Sequence, residues 1–191
     1  MKTTLGFAIT GSFCTLDIVL KEMEHLISLG YNLIPIFSYN VATHDTRYFL
    51  AKDFRQKVME LTGKEPIDSL VLAEPLGPSG IIDAMVVAPT TGNTMAKLAN
   101  AITDTPVLMA VKSQLRNHKP VILAISTNDA LGLNMVNLAK LMATKDVYFV
   151  PFGQDNPSKK PNSCIADYSL IAQTVEEALQ GKQLQPVFIT K

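Results

Sequence analysis

The side chains of this 191-residue chain best placed to do chemistry sit in short turns, not in clusters of acids or histidines. The fullest of these turns is Pro89-Thr90-Thr91-Gly92-Asn93-Thr94. It joins an apolar run, 85–88, to a helical pattern with Met95, Leu98, Ala99 and Ile102 on one face. It holds three threonines, one asparagine and one glycine, and no bulky side chain. At a helix N-terminus such a turn presents amide N–H groups and hydroxyls to one point, and the helix dipole adds partial positive charge there. An anion or a polarised planar ring is the guest this favours. An ordinary capped strand–helix turn accounts for the local pattern equally well.

Three further turns have the same character. Gly11-Ser12-Phe13 ends an apolar run and opens a helix; glycine permits close backbone approach and Ser12 supplies a hydroxyl, a phosphate cradle in miniature. It lacks both the G-x-G-x-x-G of dinucleotide sites and the G-K-S/T of P-loops, so a plain strand–helix turn competes with it. Ser38 follows a second apolar run, and Ser126-Thr127-Asn128-Asp129 a third. The histidines are His25, His44 and His118; helix one, the opening of helix two and the approach to a strand are their settings, and surface or capping roles fit them. Cys14 and Cys164 have no metal-binding spacing, and no metal site is expected. Lys159 and Lys160, beside Asn162 and Ser163, suit a dicarboxylate or phosphate as well as a solvated loop.

Composition narrows the function classes. Seventeen basic residues balance seventeen acidic ones, so no charge excess argues for nucleic acid or an anionic membrane. No apolar run approaches the roughly 20 residues of a membrane span. The first residues, MKTTLGFAITGSF, read as a buried strand and not a leader, and a cytoplasmic protein is expected. A hydrophobic content of 47% can fill a core, and one domain over 1–191 is the expectation.

The elements that must position these turns alternate. Strands are expected at 5–10, 33–37, 85–88, 121–125 and 147–150. Helical spacing follows each: Leu16, Val19, Leu20, Met23 and Ile27, stopped by Gly30; Leu50, Phe54, Val58 and Leu61, stopped by Gly63; the helix after the threonine turn; one over 107–115 with Pro106 at its first position; one with Leu131, Met135, Leu138 and Met142; and a last one near 168–180 with Ile171, Val175 and Leu179 inward. The run 69–72 reads as a short edge strand, 74–80 as a loop, and the proline-rich 151–163 as a long irregular excursion. Strand–helix alternation specifies an α/β fold, a doubly wound, Rossmann-like or flavodoxin-like parallel sheet between two helical layers. Ligands of such sheets sit beyond the carboxyl ends of the strands, so the four polar turns should converge.

The threonine turn with Met95, Ala96 and Lys97 resembles the Pro-Ala-Ser-Ala-Asn-Thr-x-x-Lys motif of the homo-oligomeric flavin-containing Cys decarboxylase (HFCD) superfamily of flavoproteins. The stretch Lys119-Pro120-Val121-Ile122-Leu123-Ala124-Ile125-Ser126-Thr127-Asn128 is similar to that superfamily's Lys-Pro-(apolar)₃-Ala-Pro-Ala-Met-Asn segment, with Ile125, Ser126 and Thr127 in place of Pro, Ala and Met. With the Gly-Ser turn the likeness covers most of 5–150. The resemblance implies bound FMN, with Gly11, Ser12, Phe13 and Ser38 at its phosphate and Thr90, Thr91, Asn93, Thr94, Ser126 and Thr127 along the flavin. It implies roles for Asn93 and Asn128 in orienting substrate. Cys164 stands where coenzyme A-forming members carry a proton-transferring cysteine; a small buried hydrophobe, the usual fate of a free cysteine, is its other reading. A homo-oligomer, trimer or dodecamer, is also implied. The histidine that decarboxylating members carry before the Asn-Thr turn has no counterpart in 73–83, which removes the obvious general base. The stretches GFAITGSFCT, APTTGNTMAKLANAITDTPVLMAVK, LRNHKPVILAISTNDALGLN and VPFGQDNPSKKPNSCIAD resemble one member more closely, a subunit that works in the mother cell of spore-forming bacteria. That likeness implies oxidation of a small cyclic dicarboxylate with NADP carried by a nicotinamide-binding partner subunit. The alternatives are a stand-alone FMN-dependent decarboxylase, a non-catalytic flavin-binding scaffold subunit, and a prenylated-flavin synthase. The last needs a basic phosphate pocket that these residues do not assemble.

Overall fold

The computed structural model describes residues 2–190. Five parallel strands make its centre: β1 (Thr4–Ile9), β2 (Asn32–Phe37), β3 (Ala84–Thr90), β4 (Val121–Thr127) and β5 (Val147–Phe149), side by side in the order β2-β1-β3-β4-β5. Every residue of β3 is buried, as are the first five of β4, which is why these strands are continuous apolar runs and not alternating ones. Each large apolar side chain removed from water here contributes about 1.5–3 kcal/mol, so the centre of the sheet is the most strongly fixed part of the molecule.

The helices are α1 (Leu16–Ser28), α2 (Tyr39–Thr43), α3 (Ala51–Thr62), α4 (Leu70–Ala73), α5 (Leu76–Ser79), α6 (Gly92–Ala99), α7 (Pro106–Arg116), α8 (Met135–Met142) and α9 (Ile171–Leu179). α1 packs with α3 and α9 on one face of the sheet; α7 packs with α4, α5 and α6, and α6 with α8, on the other. Thr105 caps α7 by accepting from the Leu108 amide at 3.2 Å, with Pro106 in the first turn, where its missing N–H leaves nothing unpaired. Gly30 and Gly63 follow their helices at φ +97° and +67°, a backbone region that glycine enters without strain. Among the described residues no helix is long and apolar enough to cross a membrane.

Several local expectations are corrected. The run 69–72 is not an edge strand: Ser69 accepts from the Leu72 amide and caps α4. Three apolar residues do not distinguish the two states, and the capping serine decides. The place beside β2 is taken instead by a single bridge from Ile67 to Ile36. The expected loop 74–80 contains α5. Ile102 lies past the end of α6 and is exposed, and Leu50 precedes α3. Leu131 precedes α8, whose buried residues are Leu138 and Leu141, while Met135 and Met142 are exposed; Leu179 is exposed too. The stretch 151–163 is not wholly irregular either. β6 (Phe152–Gln154) and β7 (Cys164–Ala166) form an antiparallel pair, and β7 adds antiparallel to the end of β4, setting Ser126 opposite Ile165 and Thr127 opposite Cys164.

Candidate functional site

The carboxyl ends of β1, β2, β3 and β4 open into two adjoining clefts of about 330 and 480 Å³, a size range suited to small-molecule ligands. Gly11, Thr91 and Asn93 line both. Ser38, Thr94 and Lys97 face the first, and Ser12, Ser126, Thr127 and Asn128 the second. The four polar turns therefore meet in space.

Short hydrogen bonds hold this edge. Thr10 Oγ1 donates to the Pro89 carbonyl at 2.6 Å and accepts from the Thr91 amide at 3.1 Å, tying the end of β1 to the threonine turn. Thr90 is fully buried and its Oγ1 donates to the Val87 carbonyl at 2.7 Å, so its hydroxyl braces the turn and does not reach either cleft. Thr91 caps α6 by accepting from the Thr94 amide, and the two threonine hydroxyls lie 3.0 Å apart. The hydroxyls of Ser12 and Ser126 meet at 2.8 Å, linking the ends of β1 and β4 across β3. Phe13 does not line a cleft; its ring lies under Gly11, where an added Cβ would meet it at 3.4 Å.

On the far wall Thr127 Oγ1 donates to Asp129 Oδ1 at 2.7 Å, and Asn134 Nδ2 donates to both Asp129 oxygens at 2.9 and 2.8 Å. The Asp129 carboxylate is thus held by its neighbours. Gly92 sits against this network so closely that a Cβ would stand 2.6 Å from Thr127 Oγ1. Each cleft carries one lysine with a carboxylate partner: Lys97 with Asp104 at 2.7 Å, and Lys160 with Asp155 at 2.9 Å. The Asp155 hydrogen bond pushes the Lys160 ammonium above its usual range, so it stays charged.

Cys164 is not brought to this site. It is buried, and it lines a separate apolar cavity with Leu131, Leu138 and Phe152; desolvation pushes its thiol up, which disfavours the thiolate. Its geometry is that of a small buried hydrophobe, and no proton-donor role follows from it. The cysteine at the cleft is Cys14, exposed and 4.0 Å from Ser12 Oγ. No feature of the sequence marked it beyond its place two residues after Ser12. Asn134 was equally unmarked, being one of several polar residues in a turn. Lys160 lines the second cleft and Lys159 lines neither. None of the three histidines lines these clefts: His25 is exposed late in α1, His44 follows α2 and contacts Thr43 Oγ1, and His118 lies 3.5 Å from Asp146 at the opposite end of β4.

One observation tests whether a phosphate-bearing flavin fits. Ser38 Oγ is buried at the edge of the first cleft and has no hydrogen-bond partner, a state that costs about 1–3 kcal/mol unless a ligand completes it. Beside it lie the first-turn amides of α6, of which Thr91 satisfies only that of Thr94. A phosphate accepts from both kinds of donor, and Gly11, which lines the same cleft, puts no side chain in its way. The residues fit the group.

A parallel sheet with a hydroxyl-and-amide edge is an α/β ligand-binding architecture, and residues 1–179 match the Flavoprotein family; the chain belongs to it. Within that class it is 52% identical over 185 residues to the B subunit of the dipicolinate synthase of Bacillus subtilis (strain 168), covering 97% of this chain and 92% of that one. The crystal structure of the B subunit of dipicolinate synthase from Bacillus halodurans superposes with a TM-score of 0.91 at 50% identity, over 99% of this chain and 97% of that one. A dodecameric FMN-dependent Ubix-like decarboxylase from Escherichia coli O157:H7 shares the fold, with a TM-score of 0.64 at 18% identity over 78% and 80% of the two chains.

Proposed function

We propose that this chain is the FMN-binding B subunit of a dipicolinate synthase, forming dipicolinate (pyridine-2,6-dicarboxylate) from a dihydrodipicolinate-level precursor with a nicotinamide-binding A subunit. The observation that carries this reading is identity at about half the positions, over almost the whole length, to two B subunits of that synthase. The site chemistry agrees with it. Aromatising a dihydropyridine diacid removes a hydride and a proton, and the hydride needs an acceptor. This chain has no G-x-G-x-x-G of its own, so a nicotinamide acceptor would be carried by the partner and would supply the oxidising equivalent there.

FMN, when bound, supplies a planar redox-active ring. Ser12, Ser38 and the amides beside Gly11 and Gly92 hold its phosphate end, and Thr91, Asn93, Thr94, Ser126 and Thr127 flank the remainder. Phe13 supports Gly11 from below, and Thr90 braces the turn. Asn93 and Asn128 orient the substrate carboxylates with N–H donors, and the charged Lys160 adds attraction for a dianion. Orientation by fixed donors supplies a large part of a rate acceleration without any protein group changing protonation state. The working form is a homo-oligomer, trimer or dodecamer, in the cytoplasm of the mother cell. A scaffold role, in which this chain holds flavin and the partner does the chemistry, is favoured by one observation: no histidine lines the clefts. The same observation counts against a stand-alone decarboxylase.

The test supplies precursor and NADP to each of the two proteins separately and then together, following dipicolinate by its absorbance. Turnover that needs both, and that falls with Asn93→Ala in this one, supports the reading. Full turnover by the partner alone rejects it.

A further inference from the structure

Tyr168 follows β7 by two residues, in a short 3-10 turn over Tyr168–Leu170 that packs against α1. Its side chain is 3% exposed, and no hydrogen bond of good geometry reaches its Oη, although the hydroxyls of Thr15 and Ser126 are beside it. A buried phenol without a partner is costly, and tyrosine is seldom buried without one. The neighbours restrict what it can do. Thr15 Oγ1 donates its own proton to the Ser12 carbonyl at 2.8 Å, so it can only accept from Tyr168. Ser126 Oγ lies 2.8 Å from Ser12 Oγ with the direction of that bond open, and Ser12 faces the second cleft.

We infer that Tyr168 is a positioning residue for the ligand: with the cleft filled, its phenol donates to Ser126, Ser126 to Ser12, and Ser12 to an acceptor oxygen of the bound group. Three hydroxyls in series have two possible senses. A donor at the buried end selects one of them and leaves the Ser12 proton pointing at the ligand. Burial pushes the Tyr168 phenol up to about 12, so it keeps its proton across the working pH range. The inference rests on the reading of the clefts as a flavin site. It assigns to Tyr168, which touches no ligand, control of a hydrogen bond that the ligand feels.

The experiment measures FMN affinity, by quenching of its fluorescence, and melting temperature for the wild type, Tyr168→Phe, Ser126→Ala and the double variant. Phenylalanine keeps the ring and removes only a hydroxyl that is unpaired without ligand, so the unliganded chain is expected to melt no lower than wild type. FMN is expected to bind about fivefold more weakly to Tyr168→Phe, the value of one neutral hydrogen bond. In the Ser126→Ala background, where the series is already cut, the same substitution is expected to change nothing. A merely structural tyrosine would move the melting temperature and not produce that dependence. Wild-type chain that binds FMN together with Tyr168→Phe of equal affinity overturns the relay alone. An affinity loss that persists undiminished in the Ser126→Ala background also overturns it. Wild-type chain that binds no FMN overturns both the relay and the flavin reading beneath it.

Discussion

Gly92→Ala sets two known effects against each other at the first residue of α6. Replacing glycine by alanine in a helix ordinarily stabilises by about 1 kcal/mol. Here the new Cβ would stand 2.6 Å from Thr127 Oγ1 and 2.9 Å from both Asn134 Nδ2 and Asp129 Oδ1. These are tips of short side chains already committed to one another, at 2.7 Å from Thr127 and 2.8–2.9 Å from Asn134. Overpacking of this kind costs about 1–3 kcal/mol. Displacing a hydrogen bond to the Asp129 carboxylate costs about 1.5–3 kcal/mol more. After the helical gain is subtracted, a net loss of about 3 kcal/mol is expected. Urea unfolding of the two chains measures it: with a slope near 2 kcal/mol/M, the midpoint should fall by about 1.5 M. Thr127→Ala in the same chain removes the closest contact and should restore part of the loss, a departure from additivity expected of touching residues. Gly92→Ala that unfolds at or above the wild-type midpoint refutes the steric argument and returns the position to ordinary helix propensity.

Ser38→Ala should leave the unliganded chain as stable as wild type, or more stable by up to about 1 kcal/mol, because the lost hydroxyl is unpaired. It should weaken FMN about tenfold, the worth of a hydrogen bond to a charged phosphate, and unchanged affinity by equilibrium titration rejects the role. Alkaline unfolding tests the buried phenol. A tyrosine raised from 10 to about 12 contributes stability that is whole below pH 10 and is lost as pH rises through 12, about 3 kcal/mol in all. Denaturation midpoints from pH 9 to 12 should show Tyr168→Phe losing less than wild type, and parallel curves would deny the burial effect. Light scattering should report an oligomer, and a species of only 20.8 kDa at working concentration would count against the assembly proposed.

Much of the sheet was legible because parallel strands leave an unmistakable pattern: 85–88 and 121–125 are apolar without alternation, as only strands covered on both faces can be. The same rule pointed the polar turns to one edge, and Gly11, Ser38, Asn93 and Ser126 do meet there. What stayed hidden was set by contacts remote in sequence. Ser12 meets Ser126 across 114 positions, and nothing in either local stretch announces it. The run 69–72 was ambiguous because three apolar residues satisfy either period, and its capping bond to Ser69 is visible only in the fold. Around 151–166 the prolines concealed two three-residue strands whose partners are the end of β4 and each other. Choosing Cys164 over Cys14 followed the resemblance and missed a thiol at the cleft mouth, since exposure cannot be read from a neighbouring glycine and serine.

The exchange of partners along β4 has a consequence for how the protein comes into being. Val121, Ile122 and Leu123 pair with β5, then Ser126 and Thr127 with β7, so one strand serves two neighbours in turn. The first cleft draws all its lining from Thr10 through Leu108, whereas the second needs Asp155, Lys160 and Ile165. On a ribosome the two are therefore built at different times. The lining of the pocket beside Ser38 is complete once Leu108 has been added to the chain. The wall beside Ser126 must wait for some sixty further residues, and it is supplied by a hairpin that docks on a sheet whose central strands have already been made.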